Sequence, residues 1–299
     1  MGCKILYGIL YVVSLLPWWL LWLLSDVVSP VVWLYYRRKV VHSQLRESFP
    51  DKSEKEIRRI EWRFYRWMCD LVVEIVKQCS MSEKDMKRHM VMKGLEPVER
   101  GFREGKTDMF CYLGHYGNWE WMASMQYWTP YCQCAQIYHP LYSDVMDKLF
   151  LKIRSLYGGD NIPMKKTARA LVQYKNEGTK VLCGFIADQQ PKWENIHHYV
   201  PFLNHDTAVF VGGEKMGKKF DTMAYYGRIT RPRRGYYVCE LVEIAHDMKS
   251  VPDYEVTDRY MQLLEEDIKA HPEIWLWTHK RWTRTKEEWE RRAKLAVRS

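Results

Sequence analysis

From Asp108 onward, short apolar runs alternate with amphipathic segments, and this alternation constrains the fold more than any other feature of the chain. Short apolar runs bounded by turn residues are typical of buried strands, whereas apolar residues at every third or fourth position are typical of helices. The predicted strands are 108–113, 133–138, 180–187, 222–229 and 236–244. The predicted helices are 119–128, 143–156, 167–176, 254–270 and 285–297. Such alternation favours an α/β fold in which a mixed sheet is layered with helices.

A long helix is predicted before this region. Ser53 and Glu56 have the spacing of a capping box. Apolar residues then recur every three or four positions, as expected of a core-facing helix: Ile57, Ile60, Phe64, Trp67, Leu71 and Ile75. The chain has no internal repeat and no flexible linker, so we expect one globular domain, residues 41–299.

The N-terminus is strongly apolar. Residues 5–24 carry no charge, and twenty apolar residues suffice to cross a bilayer. We therefore expect residues 1–40 to form a hydrophobic, membrane-anchoring helix. Pro17 and Asp26 interrupt the pattern, which leaves a bent interfacial helix as the alternative to a true span. If the segment spans, the basic cluster at 37–39 places the body of the protein in the cytoplasm.

Composition limits the environment and the partners. The net charge of +9 indicates an anionic partner, either nucleic acid, anionic lipid or an acidic protein. The eight cysteines are scattered without zinc-site spacing, which predicts free thiols in a reducing compartment and no metal site.

The stretch from Gly114 to Trp121 is the most informative about chemistry. Asn118 is a good helix N-cap, so His115 is expected in the turn after a strand and Glu120 in the first helical turn. Five residues apart on one helix the two side chains would diverge, but across a strand-to-helix turn they can meet. A histidine held by a carboxylate is a general base that can take a proton from a hydroxyl. We predict His115 and Glu120 as catalytic residues.

Other polar residues follow predicted strands. Asp188 comes after an apolar run, at a strand end where α/β proteins place their sites. Tyr138 and His139 follow another strand. Asp147 and Arg154 lie seven residues apart on the next helix and share a face, where Arg154 can either clamp a phosphate or form an ion pair.

Two further segments are chemically suggestive. The arginines at 231, 233 and 234 form a basic turn between two strands, a pattern typical of a solvated hairpin. Near the end, Trp277 and Trp282 flank His279 and Arg281 and would suit a pocket wall or an interfacial belt.

Taken together, these residues resemble the late acyltransferases of bacterial lipid A biosynthesis, in the lysophospholipid acyltransferase superfamily. The segment from His115 to Glu120 is similar to their HxxxxE motif. The likeness runs in order through Tyr138, Pro140, Asp147, Arg154, Asp188, Pro201-Phe202, Pro272-Glu273, Trp277, His279 and Arg281-Trp282. Two positions depart from the pattern, because His139 stands where the family usually has arginine and Asn204 where it often has a small residue.

The resemblance implies a membrane-associated O-acyltransferase at the inner membrane, with its catalytic domain on the cytoplasmic face. It would move a fatty acyl chain from acyl carrier protein or coenzyme A to a hydroxyl of a lipid A precursor, without a cofactor, a metal or nucleic acid. His115 would act as general base with Glu120 in support. The residues expected to bind substrate are Arg154, Asp188, Asn118, Tyr138, His139 and Lys152.

Several alternatives stay open from the residues alone. The acceptor could be a lysophospholipid or an acylated amino-acid lipid. Cys111 stands four residues before His115, so a Cys–His hydrolase is conceivable, as is a non-enzymatic lipid-binding protein. The histidines at 197, 198 and 205 with Asp206 are a weaker metal candidate, because their spacing matches no common site.

Overall fold

A seven-stranded mixed sheet forms the centre of the computed structural model, which describes residues 2–296. Its order is β1-β9-β8-β2-β5-β3-β4. The strands are β1 (Met90–Lys93), β2 (Asp108–Leu113), β3 (Gln133–Tyr138), β4 (Asp160–Pro163), β5 (Val181–Ile186), β8 (Met223–Arg233) and β9 (Tyr236–Ala245). The predicted mixed sheet and its five strands are therefore confirmed, and two short strands, β1 and β4, extend it at both edges.

Strand direction brings the chemically important ends together. β2 runs parallel to both β5 and β8, and β3 runs parallel to β5 and β4. Only the β8–β9 pair is antiparallel within this sheet. The carboxyl ends of β8, β2, β5 and β3 consequently lie at one edge of the sheet, where ligands bind in open α/β folds. All six residues of β2 are buried, as expected of a central strand.

Helices cover the sheet and extend it at the N-terminus. They are α1 (Gly2–Ser14), α2 (Trp18–Tyr35), α3 (Arg38–Ser48), α4 (Glu54–Lys77), α5 (Glu83–His89), α6 (Glu96–Arg103), α7 (Asp144–Arg154), α8 (Thr167–Asn176), α9 (Gly212–Phe220), α10 (Glu255–Ala270) and α11 (Lys286–Ala296). The capping box of α4 is formed as predicted, because the side chains of Ser53 and Glu56 each accept the other's backbone N–H. The predicted end of the last helix, at residue 297, lies outside the described residues.

The segment after Asn118 differs from its prediction. It is a 3-10 helix, Trp119–Tyr127, rather than an α-helix. Its residues 120–125 are all buried in succession, so it lacks the single apolar face that stabilises an amphipathic α-helix.

A small hairpin lies apart from the main sheet. β6 (Tyr199–Phe202) and β7 (His205–Ala208) pair antiparallel across a two-residue turn. Leu203 and Asn204 in this turn have φ of 49° and 66°. This left-handed region favours glycine and is tolerated by asparagine, which explains how Asn204 serves at a position where a small residue is usual.

The apolar N-terminus is two helices instead of one continuous segment. Proline at position 17 separates α1 from α2, because it cannot continue the hydrogen-bond ladder of α1. Leu21, Ser25 and Ser29 of α2 are buried, and this helix packs against α4. By length and composition α2 is the one described helix that could cross a membrane. The predicted division at residue 40 falls inside α3.

Candidate active site

Two neighbouring strand ends bring His115 and Asp188 together. His115 follows β2 and Asp188 follows β5, and Nδ1 of His115 lies 2.6 Å from Oδ1 of Asp188. The other carboxylate oxygen, Oδ2, accepts the backbone N–H of His115 at 2.9 Å and the indole N–H of Trp275 at 2.8 Å. Three contacts therefore fix this carboxylate against the histidine.

The electrostatics of the pair favour an ionised carboxylate. Asp188 is fully buried, and burial alone would raise its pKa. The adjacent His115 ring and the two N–H donors outweigh that cost and lower the pKa of Asp188 to about 2. An ionised carboxylate only accepts hydrogen bonds, so the proton of His115 is held at Nδ1. Nε2 is then the basic nitrogen of the ring.

The free side of the ring faces polar and aromatic neighbours. Nε2 of His115 lies 3.3 Å from Nε2 of Gln189, so this amide is placed to donate to the basic nitrogen. The ring of Trp119 meets the imidazole edge-on at 5.1 Å between centroids. The side chain of His115 is 21% exposed, which leaves it reachable from outside.

Glu120 does not hold the His115 ring, contrary to the sequence-based expectation. Its two oxygens accept a bidentate pair of hydrogen bonds from Nε and Nη2 of Arg154, at 2.8 and 2.7 Å. Arg154 is the last residue of α7, so the ion pair ties the start of the 3-10 helix to that helix. The physical reason is positional: His115 leaves β2 toward the neighbouring β5, whereas Glu120 is buried on the side of α7.

The ion pair also corrects the expected partner of Arg154. Asp147 contributes to the high pKa of Arg154 only through its charge, and its own Oδ1 accepts the backbone N–H of Leu141 at 2.8 Å. Nε and Nη2 of Arg154 are occupied by Glu120, while Nη1 makes no hydrogen bond within residues 2–296.

The turn that carries His115 is rigidly held. Gly117 has φ of 60°, and a β-carbon there would lie 2.5 Å from Cγ2 of Ile229, so only glycine fits. Its N–H donates to the carbonyl of Ile274 at 2.8 Å. Asn118 caps the 3-10 helix, as predicted, by accepting the N–H of Trp121.

Asn118 was predicted to bind substrate, but both of its polar side-chain atoms are occupied inside the protein. Its amide donates to Oε2 of Glu74 at 2.8 Å, and its oxygen serves as the cap. Glu74, on α4, is fully buried and also accepts the hydroxyl of Tyr237 at 2.9 Å. Burial raises the pKa of Glu74 to about 7.

The remaining predicted binding residues are dispersed. Tyr138 ends β3 and is close enough to Arg154 and Asp147 to feel their charges. His139 is exposed, with Nδ1 2.9 Å from the carbonyl oxygen of Pro140. Lys152 lies over the ring of Tyr7 in α1, at 3.5 Å from the centroid, and so points away from the Arg154–Glu120 pair.

Two residues of the C-terminal motif stand behind the reaction centre, the half-buried His279 and the buried Arg281. Burial and the nearby charge of Arg281 lower the pKa of His279 to about 4, so this ring is neutral near pH 7. Burial lowers the pKa of Arg281 to about 10, and its Nη2 donates to the carbonyl of Ala208 at 2.7 Å. The charge of Asp188 acts on both residues, which places them around the His115–Asp188 pair.

The structure argues against the cysteine alternative. Cys111 is fully buried in the middle of β2, and burial raises the pKa of its thiol to about 12. A thiol in that state is a poor nucleophile.

Among the described residues no group of three His, Cys, Asp or Glu side chains could hold a metal. His198 instead contacts Asp258, and His205 stacks on Trp282.

Sequence reasoning did not identify some residues of the candidate site, and it paired His115 with a different carboxylate. Asp188 was identified as a candidate at a strand end, but its role as the partner of His115 depends on β2 and β5 being neighbours. Gln189 and Trp275 gave no separate signal, although one adjoins Asp188 and the other lies within the aromatic segment near the C-terminus. Glu74 falls on the buried face of α4 together with Glu61 and Asp70, and carboxylates among the apolar residues of a core-facing helix are themselves a signal.

A histidine with a free basic nitrogen, held by a buried carboxylate at the carboxyl edge of a mixed sheet, defines a site suited to group transfer by general-base catalysis. The family model of the bacterial lipid A biosynthesis acyltransferases matches residues 3–284. The chain belongs to this family and is an acyltransferase. No individual curated protein gives a significant match.

Proposed function

We propose that the protein transfers a fatty acyl chain from a thioester to a hydroxyl of a lipid A precursor, with His115 as general base and Asp188 as the residue that positions it. The observation that carries this proposal is the contact between Nδ1 of His115 and Asp188, which leaves Nε2 as a base. The family supports a lipid A acyltransferase in general. The donor, the base and the membrane association are the proposed details.

The proposed reaction balances with His115 as the only proton carrier. Nε2 removes the proton of the acceptor hydroxyl as its oxygen attacks the thioester carbonyl. The tetrahedral intermediate then collapses, the C–S bond breaks, and the imidazolium returns the proton to the leaving thiolate. Asp188 stabilises the imidazolium between the two steps, as a carboxylate does beside a catalytic histidine. The step requires no cofactor, and the thiol released is that of acyl carrier protein or coenzyme A.

Gln189 is placed to donate a hydrogen bond to the thioester carbonyl under attack. Its amide lies 3.3 Å from Nε2 of His115 in the free protein. An acceptor hydroxyl that takes this position displaces the amide, whose N–H groups then lie beside the carbonyl under attack. A donor aimed at the developing oxyanion is worth about 10² to 10³ in rate.

We propose that the Glu120–Arg154 pair forms part of the surface that binds the acyl donor or the acceptor at the carboxyl edge of the sheet. Glu120 fixes the guanidinium of Arg154 through two hydrogen bonds. The remaining nitrogen, Nη1, can bind an anionic substrate group, and Tyr138 and His139 remain proposed substrate contacts on the β3–α7 side. Lys152, which lies over Tyr7 of α1, faces away from this group and would contact substrate only on the α1 side. Because Glu120 neutralises part of the charge, Arg154 acts as a directed donor more than as a free cation.

Exposed apolar surface supports membrane association. Every fourth residue along one side of α2 is exposed and apolar, and together these residues form one stripe: Trp19, Leu23, Val27 and Val31. Burying such a stripe in the bilayer interface removes apolar area from water. Since α2 also packs on α4, we propose an interfacial helix at the inner membrane, with the catalytic domain on the cytoplasmic face.

Lipid analysis tests the proposed activity. Cells with the gene, without it, and with His115→Ala should be compared by mass spectrometry of their lipids. We expect one added acyl chain on a lipid A species with the unaltered gene and none without the gene or with His115→Ala. His246→Ala, a change at an exposed histidine, is the matched control and should give the same added chain as the unaltered gene. An acyl chain added to a phospholipid or an amino-acid lipid would instead identify a different acceptor. Equal acylation by a folded His115→Ala variant would refute the general-base assignment.

The same cells test attachment. The full-length protein should sediment with membranes, and Leu23→Asp with Val27→Asp should weaken this, because both side chains are exposed on α2. Recovery of the unaltered protein in the soluble fraction at low salt and without detergent would contradict the interfacial helix.

A further inference from the structure

An arginine-rich cavity lies beside the candidate active site, between α4 and the turn that joins β8 to β9. Its volume is about 370 Å³, within the range of about 300–1,000 Å³ typical of ligand pockets. Five arginines line it: Arg63, Arg66, Arg231, Arg233 and Arg234. Only two carboxylates line it with them, Asp70 and Glu273, so positive charge is in excess. We refer to it as the arginine cavity.

Three of the arginines are held in place by ion pairs. Arg231 donates to Asp70 at 2.6 Å. Arg234 donates to Asp70 at 2.6 Å and to Asp26 at 2.9 Å, and Arg66 reaches Asp26 at 3.0 Å. These contacts build a fixed frame between α2, α4 and the β8–β9 turn, which is therefore more than the solvated hairpin predicted from sequence.

The other two arginines are not part of this frame. Arg63 and Arg233 form no ion pair with any carboxylate of residues 2–296, and both are exposed. Arg233 lies over the ring of Tyr236, at 3.7 Å from the centroid. Two guanidinium groups at the edge of a pre-built cationic frame are the arrangement that binds a group with several anionic oxygens, such as phosphate.

Packed residues connect the arginine cavity to the reaction centre. Trp67 lines the cavity and contacts Trp119, with 6.2 Å between centroids, and Trp119 contacts the His115 ring. Ile274, which also lines the cavity, accepts the N–H of Gly117, and the next residue, Trp275, donates to Asp188. Two tryptophan rings, Trp67 and Trp119, therefore separate a ligand in the cavity from the His115 ring.

The cavity also borders the apolar surface of α2. The guanidinium of Arg234 lies over the ring of Trp22, at 4.6 Å from its centroid, and donates to the Trp22 carbonyl. The exposed stripe of Trp19, Leu23, Val27 and Val31 belongs to the same helix. A ligand suited to this place carries an anionic headgroup on apolar chains.

We infer that the arginine cavity binds a phosphate group on the headgroup of the acceptor lipid while the acceptor hydroxyl reacts at His115. This rests on the proposed function, because it assigns a headgroup site to the same acceptor. The phosphate binds through Arg63 and Arg233, and the frame of Arg66, Arg231 and Arg234 supplies the surrounding positive potential.

The test compares two acceptors that differ only in phosphate. A phosphorylated lipid A precursor and its phosphatase-treated product are presented to the full-length enzyme in neutral detergent micelles, with the donor saturating. The double variant Arg63→Gln/Arg233→Gln should lower the kcat/KM for the phosphorylated acceptor, relative to that for the dephosphorylated one, about a hundredfold, because two charge-assisted hydrogen bonds at exposed sites are lost and each is worth about tenfold. Arg58→Gln/Arg59→Gln, which removes the same charge from exposed positions of α4 outside the cavity, should leave this ratio unchanged.

A binding measurement separates this inference from the proposed chemistry. Titration of the two lipids into His115→Ala protein by calorimetry should show tighter binding of the phosphorylated one, and the two arginine changes should abolish the difference. If the phosphorylated lipid binds more tightly but His115→Ala leaves turnover unchanged, only the assignment of His115 as general base is refuted. Equal binding of both lipids, or an unchanged ratio in the arginine variant, would refute the cavity assignment.

Changing the donor and adding inorganic phosphate identify other sources of the anion. If the arginine variant raises KM for an acyl donor on carrier protein or on coenzyme A, and leaves the acceptor ratio unchanged, the cavity serves the donor and the inference is wrong. Competition by millimolar inorganic phosphate that is equal for both acceptors would likewise show a free-anion site. Competition restricted to the phosphorylated acceptor supports the headgroup site.

Discussion

Replacing Asp188 by asparagine probes the centre of the proposed mechanism with almost no change of shape. Two N–H donors, the backbone of His115 and the indole of Trp275, converge on Oδ2. An asparagine must place its carbonyl oxygen there, because an NH₂ group in that position would face both donors. The NH₂ group then occupies the position of Oδ1, 2.6 Å from Nδ1 of His115.

This geometry forces the histidine into the wrong tautomer. Nδ1 must accept from the asparagine NH₂, so the ring proton moves to Nε2, which can no longer act as a base. The imidazolium also loses its neighbouring negative charge. General-base catalysis contributes about 10² to 10⁴ in rate, so kcat should fall by a factor in that range, equivalent to about 3 to 5 kcal/mol.

The assay is acyl transfer to the lipid acceptor at saturating donor, with thermal unfolding as the folding control. Histidine ¹⁵N shifts report the tautomer directly and should show Nε2 protonated in the variant. Glu120→Gln is the comparison for the tautomer, since it neutralises the other carboxylate of the site without touching His115 and should leave the ¹⁵N shifts of His115 unchanged. A well-folded Asp188→Asn enzyme with activity within threefold of the unaltered enzyme, or an unchanged tautomer, would refute the reasoning.

Two other predictions follow from the ion pair and from the buried carboxylate. Arg154→Lys and Glu120→Gln should each lower the free energy of unfolding by about 3 kcal/mol, because an ammonium cannot reproduce the two parallel hydrogen bonds of the guanidinium and because the half-buried arginine loses its charged partner. In chemical denaturation, the double variant should lose much less free energy of unfolding than the sum of the two single variants. Additive losses would mean that the two side chains act independently. For Glu74, the folded-state pKa of about 7 lies above the ordinary value of 4.5, so the folded protein binds this proton more tightly than the unfolded chain does. The free energy of unfolding therefore falls as the pH rises from 4.5 to 7, by at most about 3 kcal/mol. Denaturation of Glu74→Gln at pH 5 and pH 8 should lack this loss, and parallel pH dependence in both proteins would contradict it.

Local patterns predicted the five long strands of the sheet and the helices that follow them, but not the short strands β1, β4, β6 and β7. The apolar runs predicted β2, β3, β5, β8 and β9, and burial is complete only in β2, whereas β8 and β9 are longer and partly exposed. The periodicity after Ser53 predicted α4 because its buried face recurs every three or four residues. The 3-10 helix after Asn118 was missed because its burial has no helical period.

The pairing within the site depends on topology, which the local pattern does not contain. His115 and Asp188 are 73 residues apart, and they meet only because β5 lies next to β2 in the sheet. Glu120 was the nearer carboxylate in sequence and was therefore taken as the partner. The arginines of the β8–β9 turn were misjudged for the same reason, since their carboxylate partners come from α2 and α4.

The HxxxxE motif of this chain therefore joins two separate pairs instead of forming one. His115 is bound to Asp188 after β5, and Glu120 is bound to Arg154 at the end of α7. Between them, Gly117 has no room for a β-carbon and Asn118 is tied to Glu74, so the turn cannot stretch or slide. The fixed spacing then sets the distance between the imidazole of His115 on one side of the sheet edge and the anchored guanidinium of Arg154 on the other. In this chain the glutamate of the motif therefore contributes by anchoring Arg154 at a fixed distance from His115, without contacting the histidine itself.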